Sequence, residues 1–286
     1  LNNLFRLQNV STRRRDRISS DEEERLRQGY ELRTAIRFAE HGGQVSAQKA
    51  DIYLQNERIG NLTYGHAATL WRINLGWRRR ADPQQHGFIL DIERGYWARK
   101  EGEDQTDEPD DPMSPRTKRV IPYVEDHKNS LIFRPVEGLS PEQMASLQAA
   151  LKNAIQVEYQ LEDNELAAEP LPDANQRQSI LFYEAAEGGA GVLRRLVSDP
   201  NAFARVALQA LQLCHFDPIT GNDLRRAPNA KEDCEAACYD CLMSYYNQMD
   251  HRLLDRHAIK DFLFQCSQAV IRSSPKSISR AEHFQN

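Results

Sequence analysis

Cysteine is missing from the first 213 residues of this 286-residue chain, and its five cysteines all fall between positions 214 and 266. A disulfide framework in a secreted domain spreads an even number of cysteines along the chain, so this distribution argues against one. Long apolar runs are also lacking. No stretch reaches the ~18 uninterrupted apolar residues of a membrane helix. The opening Leu1-Asn2-Asn3-Leu4-Phe5-Arg6 lacks the basic-then-apolar order of a signal peptide. With 14 Gly and 13 Pro, the chain is too poor in both for low complexity. An excess of positive charge is absent as well. The 37 Lys and Arg meet 42 Asp and Glu for a formal net charge of −5, which argues against indiscriminate binding to nucleic acid, although a net charge hides local patches. The phosphate loop of a motor is missing: there is no Gly-x4-Gly-Lys-Ser/Thr. Gly-x-Ser-x-Gly, His-x-Glu and His-x-Lys-x4-Asp do not occur either, so no catalytic centre is expected in this chain.

The length suits one large domain or two small ones. Residues 11–37 are charged, and Tyr30 to Phe38 then alternates apolar and polar residues as a strand does. Similar runs at Val45–Leu54, Leu70–Trp77, Gly87–Trp97, Lys118–Val124 and Leu131–Pro135 predict a mainly antiparallel sheet. Tyr64 to Thr69 reads as a turn or short helix. Residues 101–111 hold seven acids and no base, with Pro109 inside and Pro112 beside them, and read as a solvated loop. Outside that loop, 35 acids face 37 bases.

From Ser140 the period changes. Ser140-Pro141-Glu142-Gln143 has an N-cap Ser, Pro at the first helical position and Gln at the capping-box position. Met144, Leu147, Leu151 and Ile155 follow at helical spacing. Ser179–Glu184 predicts a strand, Gly188-Gly189-Ala190-Gly191 a tight turn, and Val192–Val197 and Phe203–Leu213 two helices. Leu242–Met249 and Asp255–Val270 predict two more. The expected fold class is therefore α+β: a strand-rich region over 1–137, then a mainly helical zinc-binding domain over 138–286.

The zinc expectation comes from Cys234-x3-Cys238-x2-Cys241, since a Cys-x2-Cys knuckle presents two thiolates to one tetrahedral ion. Cys214 is the preferred fourth ligand, with His215, His251 and His257 as substitutes, whereas Cys266 reads as a buried apolar cysteine. A site closed by four protein ligands is structural. Basic residues interleaved with aromatics suit phosphate contact plus base stacking. They are Arg13, Arg14 and Arg15; Arg72, Trp77, Arg78, Arg79 and Arg80; Arg99 and Lys100; and Arg119. The Gly188, Gly189 and Gly191 turn before a helix is a weak candidate for phosphate, against simple close packing of helix on strand.

Tyr183-Glu184-Ala185-Ala186-Glu187-Gly188-Gly189-Ala190-Gly191, the cysteine cluster and Leu253-Leu254-Asp255-Arg256-His257-Ala258 resemble the zinc-binding C-terminal domain of MrfA-like DEAD/DEAH-box helicases. The resemblance covers about residues 178–265. The phrase Cys238 to Gln248 looks closest to helicase-associated proteins of bacterial anti-phage defence, including DISARM-type systems. The family cluster is Cys-x-Cys-x3-Cys-x2-Cys, and here Glu232 stands in the first place, so that Cys214 would have to replace that ligand from upstream.

The resemblance implies an accessory region of a helicase-like defence protein that guides DNA (single-stranded or at a duplex junction) and braces an ATP-driven motor. ATP would belong to that motor and not to this chain. The alternative is a cytoplasmic interaction scaffold that docks a partner defence subunit without touching DNA. The start at Leu rather than Met fits the expectation of a tail from a larger machine.

Overall fold

The computed structural model describes residues 1–7, 29–41, 44–92, 95–98, 117–186, 188–274 and 278–279. Arg13, Arg14, Arg15, Arg99, Lys100 and the acidic loop at 101–111 lie outside the described residues. In chain order the first strands are β1 (Leu4–Arg6), β2 (Tyr30–Arg37), β3 (Glu40–His41), β4 (Gln44–Val45), β5 (Gln48–Leu54) and β6 (Glu57–Trp77). Next come β7 (Phe88–Asp91), β8 (Trp97–Ala98), β9 (Thr117–Pro135), and helix α1 (Pro141–Tyr159). Then follow β10 (Leu166–Pro172), β11 (Arg177–Glu184), α2 (Val192–Ser198) and α3 (Ala202–Leu213). A 3-10 helix (Tyr245–Leu253), α4 (Arg256–Ser267), β12 (Val270–Ser274) and β13 (Ile278–Ser279) complete the chain. The fold is α+β.

The chain forms two compact units, each made of two segments. One comprises Leu1–Ala35 and Leu70–Asp126, the other Ile36–Thr69 and His127–Asn286. The boundary expected at 137/138 therefore falls inside the second unit.

In the second unit the strands run in the order β10-β11-β9-β6-β5-β12. The pairs β10–β11, β11–β9, β5–β6 and β12–β5 are antiparallel. Residues of alternating position on these strands (Ala50, Ile52, Leu62, Tyr64, Leu131, Phe133, Ile180, Phe182) share one buried cluster with α1, α3 and α4. That is the period-2 signature of a sheet covered by helices on one face. Phe133 sits at its centre, with ring centroids 5.4 Å from Phe203 and 6.4 Å from Phe262. On the opposite face Phe38, Val45 and Ala68 form a smaller cluster joined by Ile132.

Tyr64 to Thr69 is the interior of β6, not a turn or helix. Its small residues are there for packing: a Cβ on Gly65 would lie 2.1 Å from the Phe38 ring. The predicted strands at Lys118–Val124 and Leu131–Pro135 are one strand, β9. Its polar middle is held by pairing, with Asn129 Oδ1 accepting from the Ala67 N–H at 3.2 Å and His127 Nδ1 lying 3.4 Å from the Thr69 hydroxyl. β10 escapes a sequence reading because it carries two prolines, which a sheet tolerates at its edge, where β10 lies.

Helix α1 begins as its sequence predicts. The Ser140 hydroxyl accepts from the Gln143 N–H at 3.2 Å, and the Gln143 side chain accepts from the Ser140 N–H at 2.9 Å. The predicted helix at Leu242–Met249 is instead a 3-10 helix over Tyr245–Leu253, and Val270 begins a strand rather than ending a helix. In the first unit β1 pairs parallel with β9, and β7 pairs antiparallel with β9 and with β8. Ile73, Leu75 and Ile121 form its buried cluster, with Ala35, Trp71 and Tyr123 packed against it.

Candidate functional site

α3 ends at Leu213, and Cys214 caps it. His215 follows in the left-handed region, with φ of 61°. That single reversal turns consecutive side chains to different destinations. Cys214 stays in the helical core, fully buried, whereas the His215 ring meets the cysteine loop with Nε2 at 3.2 Å from Cys238 Sγ. The knuckle is a tight turn in which the Cys238 carbonyl accepts from the N–H groups of Cys241, Leu242 and Met243 at 3.0–3.2 Å. The Cys238 N–H in turn points at Cys241 Sγ, 3.1 Å away. Sulfur-to-sulfur distances are 3.5 Å for Cys238–Cys241 and 3.8 Å for Cys234–Cys241.

His215, Cys234, Cys238 and Cys241 place one ligand atom each within 4.8 Å of one another. A tetrahedron with Zn–S bonds of about 2.3 Å has S···S edges of about 3.8 Å. The observed edges match that size, so the donor set and its spacing fit a structural zinc. The fourth member of the group is His215 and not Cys214, the preferred choice from sequence; two residues adjacent in the chain are separated by the left-handed turn. Cys266 is buried in α4 among core residues, as expected.

The electrostatics favour an ion. Burial raises the pKa of both Cys234 and Cys241, because a thiolate loses hydration there. Burial also pushes the Cys214 thiol up to about 12 despite the nearby Arg256. His215 is shifted the other way: burial, then Arg256, hold its pKa below the usual imidazole value and keep it neutral, as a ligand must be. A divalent cation supplies the charge that three clustered thiolates, two of them buried and that of Cys238 half-buried, require.

A residue with no metal-ligand chemistry organises the loop. The Arg256 side chain is almost wholly buried and donates to the Cys234 carbonyl at 2.8 and 3.1 Å and to the Cys214 carbonyl at 3.2 Å. It also clasps the Asp223 carboxylate at 2.7 and 2.9 Å and lies over the Phe216 ring, 4.9 Å from its centroid. This fork–fork pair fixes the backbone of two loop segments at once. Sequence reading took Arg256 only as part of a helix start; the signal that finds it is an Arg in the first turn of an otherwise amphipathic helix. His257 Nε2 lies 3.0 Å from the Glu235 carbonyl, and His251 Nε2 lies 3.1 Å from that of Ser244, so both histidines meet backbone near the knuckle.

The Gly188, Gly189 and Gly191 turn wraps a carboxylate of the chain itself. Buried Glu184 accepts from the N–H groups of Gly191 at 3.1 Å and Leu193 at 3.0 Å, and from Asn129 Nδ2 at 3.0 Å. A Cβ on Gly189 would lie 2.0 Å from Glu184 Oε2. The donors that a phosphate would need are thus spent on Glu184, which favours the packing reading of the turn.

The described basic residues fare unequally. Arg80 is pinned: it pairs with Glu31 at 2.6 Å and donates to the carbonyls of Trp77 and Pro83. Arg78 donates to the Tyr30 carbonyl at 3.1 Å, and Arg119 reaches toward that of Gly87 at 3.5 Å. Arg72 and Arg79 are exposed. Trp77 is 48% exposed, enough to present a face.

A compact, thiolate-rich, four-ligand site of this kind defines a structural zinc domain rather than a catalytic one. Residues 147–242, which hold all four members of the cluster, match the family model of the MrfA Zn-binding domain. No curated protein matches the chain. Among solved structures, the chain is similar to the crystal structure of the DUF1998 helicase MrfA bound to DNA, at 11% identity and a TM-score of 0.42. That similarity covers 83% of this chain and 25% of the helicase, so the chain spans about a quarter of that protein's length. Among the described residues no helix is long and apolar enough to cross a membrane.

Proposed function

We propose that this chain is the zinc-braced accessory region of a helicase-like bacterial defence protein, docking against an ATP-driven motor and guiding DNA. The observation that carries the reading is the match of residues 147–242 to the MrfA Zn-binding domain, over the very segment that assembles the zinc-sized cluster. In this reading His215, Cys234, Cys238 and Cys241 hold the ion, and Arg256 positions the loop that carries them. The zinc fixes a surface and performs no chemistry, because its four positions are filled by protein. The proposed setting is the cytoplasm, where reduced thiols stay available to metal.

Exposed cations and aromatics in the first unit, including Arg72, Trp77 and Arg79, support DNA contact. Fluorescence anisotropy with labelled single-stranded and duplex oligonucleotides tests it. Binding that weakens steeply between ~50 and ~200 mM salt is expected. No binding at the low-salt end would overturn DNA guiding. Purification from the native source tests the motor: an ATPase motor is expected in the same polypeptide or tightly bound to it.

The knuckle supports a second reading, a partner-docking scaffold. Tyr239, Tyr245, Tyr246 and Met249 are exposed beside it. A stable subunit complex with no oligonucleotide affinity would select that reading.

A further inference from the structure

The first unit gathers aromatic rings that are far apart in sequence. Tyr30 on β2 lies against Trp77 at the end of β6, ring centroids 4.4 Å apart. Phe88 on β7 follows at 5.8 Å from Tyr30, and Trp97 on β8 at 5.6 Å from Phe88. The result is a continuous row Tyr30–Trp77 and Tyr30–Phe88–Trp97. Core aromatics would be buried, yet Tyr30, Trp77 and Trp97 are 42%, 48% and 52% exposed. Large amphipathic rings left at the surface in a contiguous group mark a binding face.

Two cations identify what the face takes. Strand register sets Trp97 opposite Leu90 and Leu90 opposite Lys118, so Lys118 and Trp97 share a face, two strand spacings or ~10 Å apart. Lys118 is exposed, as is Arg79, two residues beyond Trp77. Neither side chain has a hydrogen-bond or ion-pair partner among the described residues, unlike pinned Arg80. Rings that offer a π-face, with cations within a nucleotide's reach, combine the two elements of single-strand recognition: bases on aromatics, phosphates on Lys or Arg. A duplex keeps its bases stacked on one another and cannot use such a row.

We propose that the Tyr30–Trp77–Phe88–Trp97 row is a base-stacking platform for single-stranded nucleic acid, with Arg79 and Lys118 contacting its phosphates. The platform rests on the DNA-guiding reading above and narrows it to an unpaired strand. Stacking on Trp77 and Trp97 leaves sequence preference weak, since every base has a π-face.

The test uses the full chain with a labelled oligo-dT 20-mer and a duplex of equal length, at low salt. The single strand is expected to bind more tightly than the duplex and to quench tryptophan fluorescence. Trp97→Ala is expected to weaken oligo-dT binding at least about 5-fold, the low end for one stacked base. Trp97→Phe, which keeps a ring, should retain most of it. Because Trp77 also packs on Tyr30, Arg79→Ala with Lys118→Ala provides a surface variant with unchanged melting, expected to weaken oligo-dT binding and flatten its salt dependence. Oligo-dT binding that survives both Trp97→Ala and the Arg79/Lys118 variant would overturn the platform and leave DNA guiding intact. Equal affinity for strand and duplex would overturn it in the same way. Absence of binding to either oligonucleotide would overturn both.

Discussion

At the residue scale, one left-handed turn decides the composition of the metal group. Cys214 and His215 are neighbours, and the sequence favours the cysteine because four thiolates are a familiar zinc set. The backbone at His215 reverses the choice by leaving Cys214 in the α3 core. Separate substitutions distinguish the two. Cys214→Ser is expected to keep one zinc per chain, whereas His215→Ala and Cys238→Ser are expected to lower zinc content. Loss of the ion should cost at least about 3 kcal/mol, roughly 6–12 °C in melting temperature. Metal analysis and thermal melting read both effects.

Arg256→Met offers a second check. It removes a buried cation whose partners, the Cys214 and Cys234 carbonyls and the Asp223 carboxylate, are left without their donor. A loss of about 3–5 kcal/mol is expected in denaturant unfolding. The pH dependence has a definite sign. Burial, then Arg256, depress the folded-state pKa of His215, so the unfolded chain takes the proton first. The contribution is complete above the unfolded value of about 6.5 and is lost as pH falls below it. Proton competition for the ligands acts in the same direction. Melting temperature and zinc content should therefore fall together between about pH 7 and pH 5.

At the element scale, α1, α2, α3 and β11 were legible because each announces itself locally. Ser140-Pro141-Glu142-Gln143 is a complete capping box, and β11 contains the unbroken apolar run Ile180-Leu181-Phe182-Tyr183. The elements that were not legible obey tertiary rules. β6 hides its length because Gly65 and Ala68 are small, and small residues there admit Phe38 rather than mark a turn. β9 hides its middle because Glu125 to Ser130 is polar. Those groups find partners only in the folded chain, with Trp71 Nε1 on β6 donating to Glu125 Oε2 at 2.8 Å and Lys128 Nζ donating to the Ala185 carbonyl at 2.8 Å. The glycine turn was legible as a turn, but its purpose depends on a carboxylate inside the preceding strand.

Two substitutions test these accounts. Gly65→Ala drives a methyl into the Phe38 ring and is expected to cost about 1–3 kcal/mol. Gly189→Ala adds a Cβ against Glu184 at a φ of 67° and should cost about 2–4 kcal/mol. Urea unfolding of the zinc-loaded protein measures each.

At the scale of the whole molecule, the net charge of −5 conceals how the charges are disposed. Seven acids fall in one eleven-residue stretch, and outside it bases exceed acids by two. Exposed Arg79 and Lys118 adjoin exposed rings in the first unit, while the second unit carries the metal group. The sequence exposed the cysteines and some arginines of these two features. It concealed Tyr30, Phe88 and Arg256, because proximity in the folded chain assembles them and no spacing encodes it.

The central claim is that a zinc ion holds three cysteines and His215 in the segment that matches the MrfA Zn-binding domain. X-ray absorption at the zinc edge on the purified protein tests it most directly. The account predicts one zinc per chain, with three sulfur neighbours at about 2.3 Å and one nitrogen at about 2.0–2.1 Å. Four sulfur neighbours would contradict the assignment of His215, and a folded protein that binds no zinc would contradict the claim altogether.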